Sequence, residues 1–310
     1  MKLSSKDLLT IHDLSASEFT GILDLADAMK AHPERFRDSL QGKTLAMIFE
    51  KPSLRTRVTF ETGMTQMGGH GIYLAPADIQ LGARESIPDV ARNLERWVDA
   101  IMARTFKHDS IVQLARHAKI PVINALSDYS HPCQALADFQ TLRELTGNLR
   151  ALRLTYVGDG NNVCHSLMFA AAKAGSSITV ATPPGYEPSK EVVELALSDA
   201  GRTGAKVRMV SDPVEGVRGA GAVYTDVWAS MGQEAETESR AKIFKAYQVN
   251  EALMSQAAPG AVFLHCLPAH RGWEVTDAVA DAPTSAIFQQ AENRLHAQKA
   301  VLHLLAGKSA

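Results

Sequence analysis

Cysteine is scarce in this chain and widely spread: Cys133, Cys164 and Cys266 are its three thiols, and no two stand in a C-x-x-C spacing. That excludes a disulfide framework and a structural zinc site, and points to a reducing compartment, the cytoplasm. An excess of one charge is missing too. With 32 Lys and Arg against 34 Asp and Glu, the formal net charge is -2, so there is no basic field for nucleic acid and any anion site must be local. No apolar run approaches the ~20 residues of a membrane span. The N-terminus, MKLSSKDLLTIHDLSASEF, has neither the apolar core of a secretory signal nor an arginine-rich amphipathic presequence. Low-complexity tracts and short-period repeats are absent. So is a G-x-x-x-x-G-K-[ST] loop, which excludes a P-loop NTPase. Gly158-x-Gly160 does follow a strand pattern. The third glycine position, however, holds Val163, and the next strand ends in Thr182 where a dinucleotide site wants an acidic ribose ligand.

What the chain does have is a regular alternation of strand and helix patterns over 310 residues, enough for two domains of roughly 150 residues each. It is organised around Ile48 to Met67, IFEKPSLRTRVTFETGMTQM. Leu45 to Phe49 reads as a buried strand, and beyond Pro52 the spacing of Val58, Phe60, Met64 and Met67 reads as a helix. The joint, Ser53-Leu54-Arg55-Thr56-Arg57, offers free helix N-terminal N–H groups, two hydroxyls and two guanidinium forks, which suits a dianion. On its own, Ser53 is equally well read as an ordinary N-cap.

Before this stretch, Ser15-Ala16-Ser17-Glu18 is a capping box opening a helix with the apolar face Phe19, Ile22, Leu23, Ala26 and Met29. After it come a short strand at 72–74 and a polar loop through Asp78, Gln80, Gly82 and Arg84 that reads as mobile. Strands then follow at 100–104 and 121–125, and Pro132 opens a helix. Gly147-Asn148 marks a candidate boundary, after which the scheme restarts at Leu152 and runs to a last helix from about Gln289 to Leu305. The expected fold is α/β, with two doubly wound parallel-sheet domains and the active site in the cleft between them.

Each notable polar cluster follows a strand pattern: Ser53 to Arg57, Arg104, His131 to Gln134, Gly158 to Asn162, Asp226, and Cys266-Leu267-Pro268. Open α/β sheets bind ligands beyond the carboxyl ends of their strands. In the first half these groups are cations and donors, Arg55, Thr56, Arg104 and His131, as a phosphate-bearing substrate requires. In the second half they are amide, carboxylate and thiol, Asn162, Asp226 and Cys266, as a substrate carrying an ammonium group requires. Taken singly several residues read as bland: Cys133 and Cys164 as core, His265 and His70 as structural, and Arg294 beside Glu292 as an exposed ion pair.

FEKPSLRTR at 49–57, HPCQ at 131–134, GDGNN at 158–162, Asp226 with Ser230-Met231-Gly232, HCLP at 265–268 and ENRLHAQKA from Glu292 occur in that order. Over essentially the whole chain these boxes resemble the aspartate/ornithine carbamoyltransferase family, and among its members those acting on ornithine. The resemblance implies a carbamoyl phosphate-binding domain at 1–147, with a C-terminal helix at about 286–310 returning to it, and an ornithine-binding domain at 148–285. It implies a homotrimer with shared active sites, and the reaction of carbamoyl phosphate with L-ornithine to give citrulline and phosphate, without metal or organic cofactor.

By the same resemblance Ser53, Leu54, Arg55 and Thr56 match the phosphate-binding box, and Arg104 and His131 the remaining phosphate and carbonyl ligands. Gln134 matches the contact to the carbamoyl amine, Gln80 a glutamine lent by a neighbouring subunit, and Arg294 a late arginine at the same ligand. Asn162, Asp226, Ser230 and Met231 match the ornithine contacts, and Cys266 and Leu267 the pair beside the reacting amine. Leu54 stands where threonine is commoner, a feature shared with relatives that act on modified ornithines. Trp273 stands where a second acidic residue is commoner and has no functional reading. An aspartate acceptor is disfavoured, because Asp226 would repel its carboxylates.

Overall fold

The computed structural model describes residues 1–229 and 234–308. In chain order its elements are α1 (Ala16–Ala31), β1 (Thr44–Phe49), α2 (Leu54–Gln66), β2 (His70–Leu74), α3 (Pro76–Ile79), α4 (Ile87–Leu94), β3 (Ala100–Arg104), α5 (His108–His117), β4 (Val122–Leu126) and α6 (Pro132–Thr146). There follow β5 (Arg153–Val157), α7 (Asn162–Ala174), β6 (Ser177–Ala181), α8 (Lys190–Thr203), β7 (Val207–Val210), α9 (Pro213–Val217), β8 (Ala222–Thr225), α10 (Thr237–Phe244), α11 (Glu251–Met254), β9 (Val262–His265), α12 (Asp277–Ala280) and α13 (Ile287–Ala306). Among the described residues no helix is long and apolar enough to cross a membrane.

The chain divides into two compact units, Met1–Gln140 with Glu292–Ala310, and Thr141–Ala291. The division falls within α6 and within α13. Each unit is built on its own parallel sheet, of strand order β2-β1-β3-β4 in the first and β7-β6-β5-β8-β9 in the second. In both, the order reverses beside the first strand of the unit. That leaves a crevice at the carboxyl ends of β1 and β3 in one unit and of β5 and β8 in the other.

Local chemistry explains the elements. The Ser15 hydroxyl accepts from the Glu18 N–H at 3.2 Å while the Glu18 carboxylate accepts from the Ser15 N–H at 2.8 Å, a reciprocal cap that starts α1. Burial works against the Glu18 charge, but hydrogen bonds from Ser15 and Ser4 outweigh it and hold the carboxyl at about 2. Strands β1 and β3 are near-continuous apolar runs because helices cover both faces of a parallel sheet. Ile48, Ile101 and Val122 of the first sheet pack with Val90, Leu94, Ile111 and Leu114 of α4 and α5. The second core gathers Val157, Val223 and Phe263 with Phe244, Tyr247 and Val275. Gly175, at φ +75°, closes α7 in the left-handed conformation that glycine adopts without strain.

The polar stretch after β2 is not a plain loop. It folds into α3, whose first turn is held by the Asp78 carboxylate accepting from the Ala75 N–H at 2.8 Å, and a bridge joins Leu81 to Glu85.

Candidate active site

In the first unit, β1 and β3 lie in register with Phe49 opposite Arg104, and Glu50 ties their ends together. Its N–H donates to the Arg104 carbonyl at 2.8 Å and its carboxylate accepts from the Phe106 N–H at 2.7 Å. The chain then turns through Pro52 into Ser53, which caps α2 by accepting from the Thr56 N–H at 3.2 Å. Leu54 points to solvent and Thr56 is fully buried. The expectation of two guanidinium forks at this joint needs correction. Arg57 lies over the Tyr73 ring at 3.8 Å and donates to Glu61 at 3.0 Å, so it braces α2 against β2 and leaves Arg55 as the fork facing the joint.

Arg104 ends β3 and His131 precedes α6, both buried. Burial first, then the guanidinium groups of Arg294, Arg104 and Arg55, push the His131 imidazole well below its ordinary range, so it is neutral near pH 7. Arg104 and Arg294 are buried with it, and Arg55 is half-buried. Arg294, on α13, is not the exposed ion pair its sequence context suggests: it is 2% exposed. It donates to Gln134 Oε1 at 2.6 Å and to Thr56 Oγ1 at 3.2 Å. The Gln298 carboxamide, oriented to satisfy both its ends, accepts from Arg294 Nη2 at 2.9 Å. Thr56, Arg294 and Gln134, far apart in sequence, thus form one bonded chain. Gln80 stands apart, exposed at the end of α3 with φ +43°.

In the second unit β5 ends at Gly158, whose φ of +141° suits glycine. At Gly160 a Cβ would sit 2.2 Å from the Pro188 nitrogen, so only glycine passes there. Asn161 then caps α7. Its carboxamide oxygen accepts from the N–H groups of Val163 and Cys164 at 2.9 and 3.1 Å, which aims its NH2 at Asp226 Oδ2, 2.9 Å away. The other Asp226 oxygen accepts from the Cys266 thiol at 3.0 Å. Asn162, the first residue of α7, is half-buried, and the amide that donates to Asp226 is that of Asn161, the residue before it. Ser230 and Met231 lie outside the described residues.

The Cys266-Leu267 turn is fixed by His265. Its Nδ1 accepts from the Leu267 N–H at 2.9 Å, which leaves Nε2 to donate to Glu274 at 3.1 Å. Trp273 packs its ring against those of Trp228 and His270, with centroids 6.3 and 6.4 Å away.

Two further groups escaped sequence reasoning. Asp159 pairs with Arg240 at 3.1 Å, and its carboxyl is raised to about 6, chiefly by burial, with Arg240 opposing. Arg240 in turn donates to the Trp228 carbonyl at 3.1 Å, which ties the segment after β8 to the glycine loop after β5. Among the described residues, Asp226, His265 and Cys266 are a group whose ligand atoms come within 4.8 Å of one another. Both His265 nitrogens are engaged, with Leu267 and Glu274, so this donor set is already committed within the protein.

A buried cluster of arginines with hydroxyl and amide partners in one unit, and a carboxylate–thiol pair in the other, are what a phosphate ester and an amine would each require. Two family models match the chain, one on each half. The carbamoyl-P binding domain of aspartate/ornithine carbamoyltransferase matches residues 6–144, and the Asp/Orn binding domain matches residues 150–305. The chain belongs to the aspartate/ornithine carbamoyltransferase family.

Among curated relatives, the ornithine carbamoyltransferase of Thermococcus kodakarensis is 53% identical over 312 residues, covering 99% of this chain and 98% of that protein. The Bacillus subtilis ornithine carbamoyltransferase is 52% identical over 300 residues, covering 97% of this chain and 93% of that one. The solved ornithine carbamoyltransferase of Pyrococcus furiosus superposes with a TM-score of 0.96 at 52% identity, covering 99% and 98% of the two chains. The ornithine transcarbamoylase of Giardia lamblia reaches 0.90 at 34% identity, covering 99% and 100%.

Proposed function

We propose that this protein is an ornithine carbamoyltransferase, which moves the carbamoyl group of carbamoyl phosphate to the δ-amine of L-ornithine and releases citrulline and phosphate. The observation that carries this reading is the pairing of Arg55, Thr56, Arg104, His131 and Arg294 in the carbamoyl-P binding unit with the Asp226–Cys266 hydrogen bond of 3.0 Å in the Asp/Orn binding unit.

The amine nitrogen attacks the carbonyl carbon, a C–N bond forms, and the tetrahedral intermediate collapses with cleavage of the C–O bond to phosphate. Negative charge grows first on the carbonyl oxygen and then on the departing phosphate. Arg55, Thr56 and Arg104, with the N–H groups of Ser53 and Leu54, meet the phosphate; neutral His131 donates to the carbonyl oxygen; Arg294 adds a cation to the same ligand. The Gln134 carboxamide oxygen accepts from the carbamoyl NH2. Asp226, steadied by Asn161, holds the α-ammonium group, with Asn162, Ser230 and Met231 around the amino acid. Cys266 and Leu267 line the reacting amine. That amine, with a pKa near the ~10.4 of a lysine, must shed a proton before it attacks, and Asp226 and Cys266 are the candidate groups beside it. No covalent nucleophile is required.

In the same reading, residues 1–147 with 286–310 bind carbamoyl phosphate, residues 148–285 bind ornithine, and the enzyme is a cytoplasmic homotrimer in which Gln80 serves the neighbouring subunit's ligand. The test is citrulline formation, read colorimetrically, with ornithine, N-acetylornithine and putrescine in parallel. Ornithine should be preferred. Preference for N-acetylornithine would trace to Leu54, and no product with any acceptor would overturn the assignment as an enzyme.

A further inference from the structure

Asp138 is a fully buried carboxylate on α6, one helical turn beyond Gln134. Its Oδ1 accepts from Gln134 Nε2 at 2.7 Å, while Gln134 Oε1 accepts from Arg294 Nη1 at 2.6 Å. A carboxamide has two ends of nearly the same shape and opposite hydrogen-bonding character, so its neighbours set its orientation. Here the neighbours leave one choice. Arg294 can only donate and must face the oxygen; a carboxylate can only accept and must face the NH2. The spacing of four residues puts both side chains on the same helix face, close enough for this bond.

We infer that Asp138 is a positioning residue for carbamoyl phosphate recognition: it holds the Gln134 carboxamide with its oxygen turned toward Arg294 and the ligand. The inference rests on the reading in which Gln134 meets the carbamoyl NH2. Oε1 has two lone pairs, one taken by Arg294, and the second is what a carbamoyl NH2 needs. With the amide reversed, its NH2 would confront two donors, the guanidinium and the ligand's own NH2.

The test is steady-state kinetics on the full-length enzyme with Asp138→Asn, whose neutral side chain offers both a donor and an acceptor and so holds the Gln134 NH2 less firmly. The KM for carbamoyl phosphate should rise up to about tenfold, the cost of replacing one buried carboxylate acceptor with a neutral one. The KM for ornithine should stay within about twofold, and so should the inhibition constant for inorganic phosphate, which has no NH2 to recognise. The double variant Gln134→Glu/Asp138→Asn restores an acceptor on the ligand side whichever way the group turns, and keeps the net charge. It should recover most of the carbamoyl phosphate KM. A purely structural role for Asp138 would show equal losses in all three constants and no recovery in the double variant, and would overturn the inference. So would an Asp138→Asn enzyme with unaltered kinetics. Failure of the underlying assignment looks different: the unmodified protein would then form no citrulline at all.

Discussion

At the carboxyl ends of β1 and β3 the chain sets Arg55, Thr56 and Arg104; at the carboxyl ends of β5 and β8 it sets Asn161, Asn162 and Asp226. The backbone device is shared, a parallel sheet whose strand order reverses beside its first strand, with a capped helix starting next to the reversal. The chemistry is opposite. The way each charge is held is nonetheless alike. Arg294 donates to Gln134 and Thr56, and Asp226 accepts from Asn161 and Cys266, so neutral side chains take part in holding each charged group. A neutral partner fixes a charged side chain in place without cancelling its charge. The comparison teaches that topology selects where a ligand group is received, and a few side chains at the strand ends decide its sign.

The sharpest way to break the comparison is to remove a cation from the first cluster. Arg55→Ala should lose at least ~2.7 kcal/mol of transition-state stabilisation, roughly a hundredfold in kcat/KM, comparable to the loss of one oxyanion-hole donor. Near-normal citrulline formation would remove Arg55 from the chemistry. A smaller and more selective effect is expected in the other unit. Asp226→Asn should raise the KM for ornithine about tenfold by replacing a charge-assisted contact with a neutral one, and leave the KM for carbamoyl phosphate within about twofold. If both constants moved together, the division of labour between the units would be wrong.

The smallest effect concerns pH. His131 is neutral in the folded protein because its pKa lies well below 6.5, whereas in the unfolded chain it titrates near ~6.5. Below that value the unfolded state binds a proton that the native state does not, so His131 removes stability as pH falls. Denaturant melts at pH 7.5 and 5.5 should show the wild type losing more stability than His131→Asn as pH falls. Equal losses would mean that burial and the arginines do not keep this imidazole uncharged.

Much of this was legible in the residues. The alternation of short apolar runs with periods near 3.6 located both sheets, and polar residues just past each run located both clusters. Periodicity does not say which way a side chain at a helix start turns, however. Arg57, two residues from Arg55, lies on the exposed side of α2 and goes to Tyr73, which spacing alone left open. Asn161 and Asn162 are likewise distinguished only by which one caps α7. The cap rule does single out the residue before the first helical turn, so that signal was available. Asp138 was harder, because a carboxylate in the helix of Leu136, Phe139 and Leu142 reads as solvent-facing until the second face of α6 is known to be buried as well. Arg294 looked exposed beside Glu292 for the same reason: α13 is buried along more of its circumference than its composition suggests.

The return of the chain through α13 to the unit in which it started has a consequence for biosynthesis. A ribosome emits β1 to β4 long before residue 292, so the first unit leaves the exit tunnel without the helix that completes it. During that interval Thr56 and Gln134 are already made while Arg294 is not, and the anion pocket is one guanidinium short. In the proposed reading the anion site is completed only once residue 294 has been translated, and a nascent polypeptide that has not reached it would carry a half-built receptor.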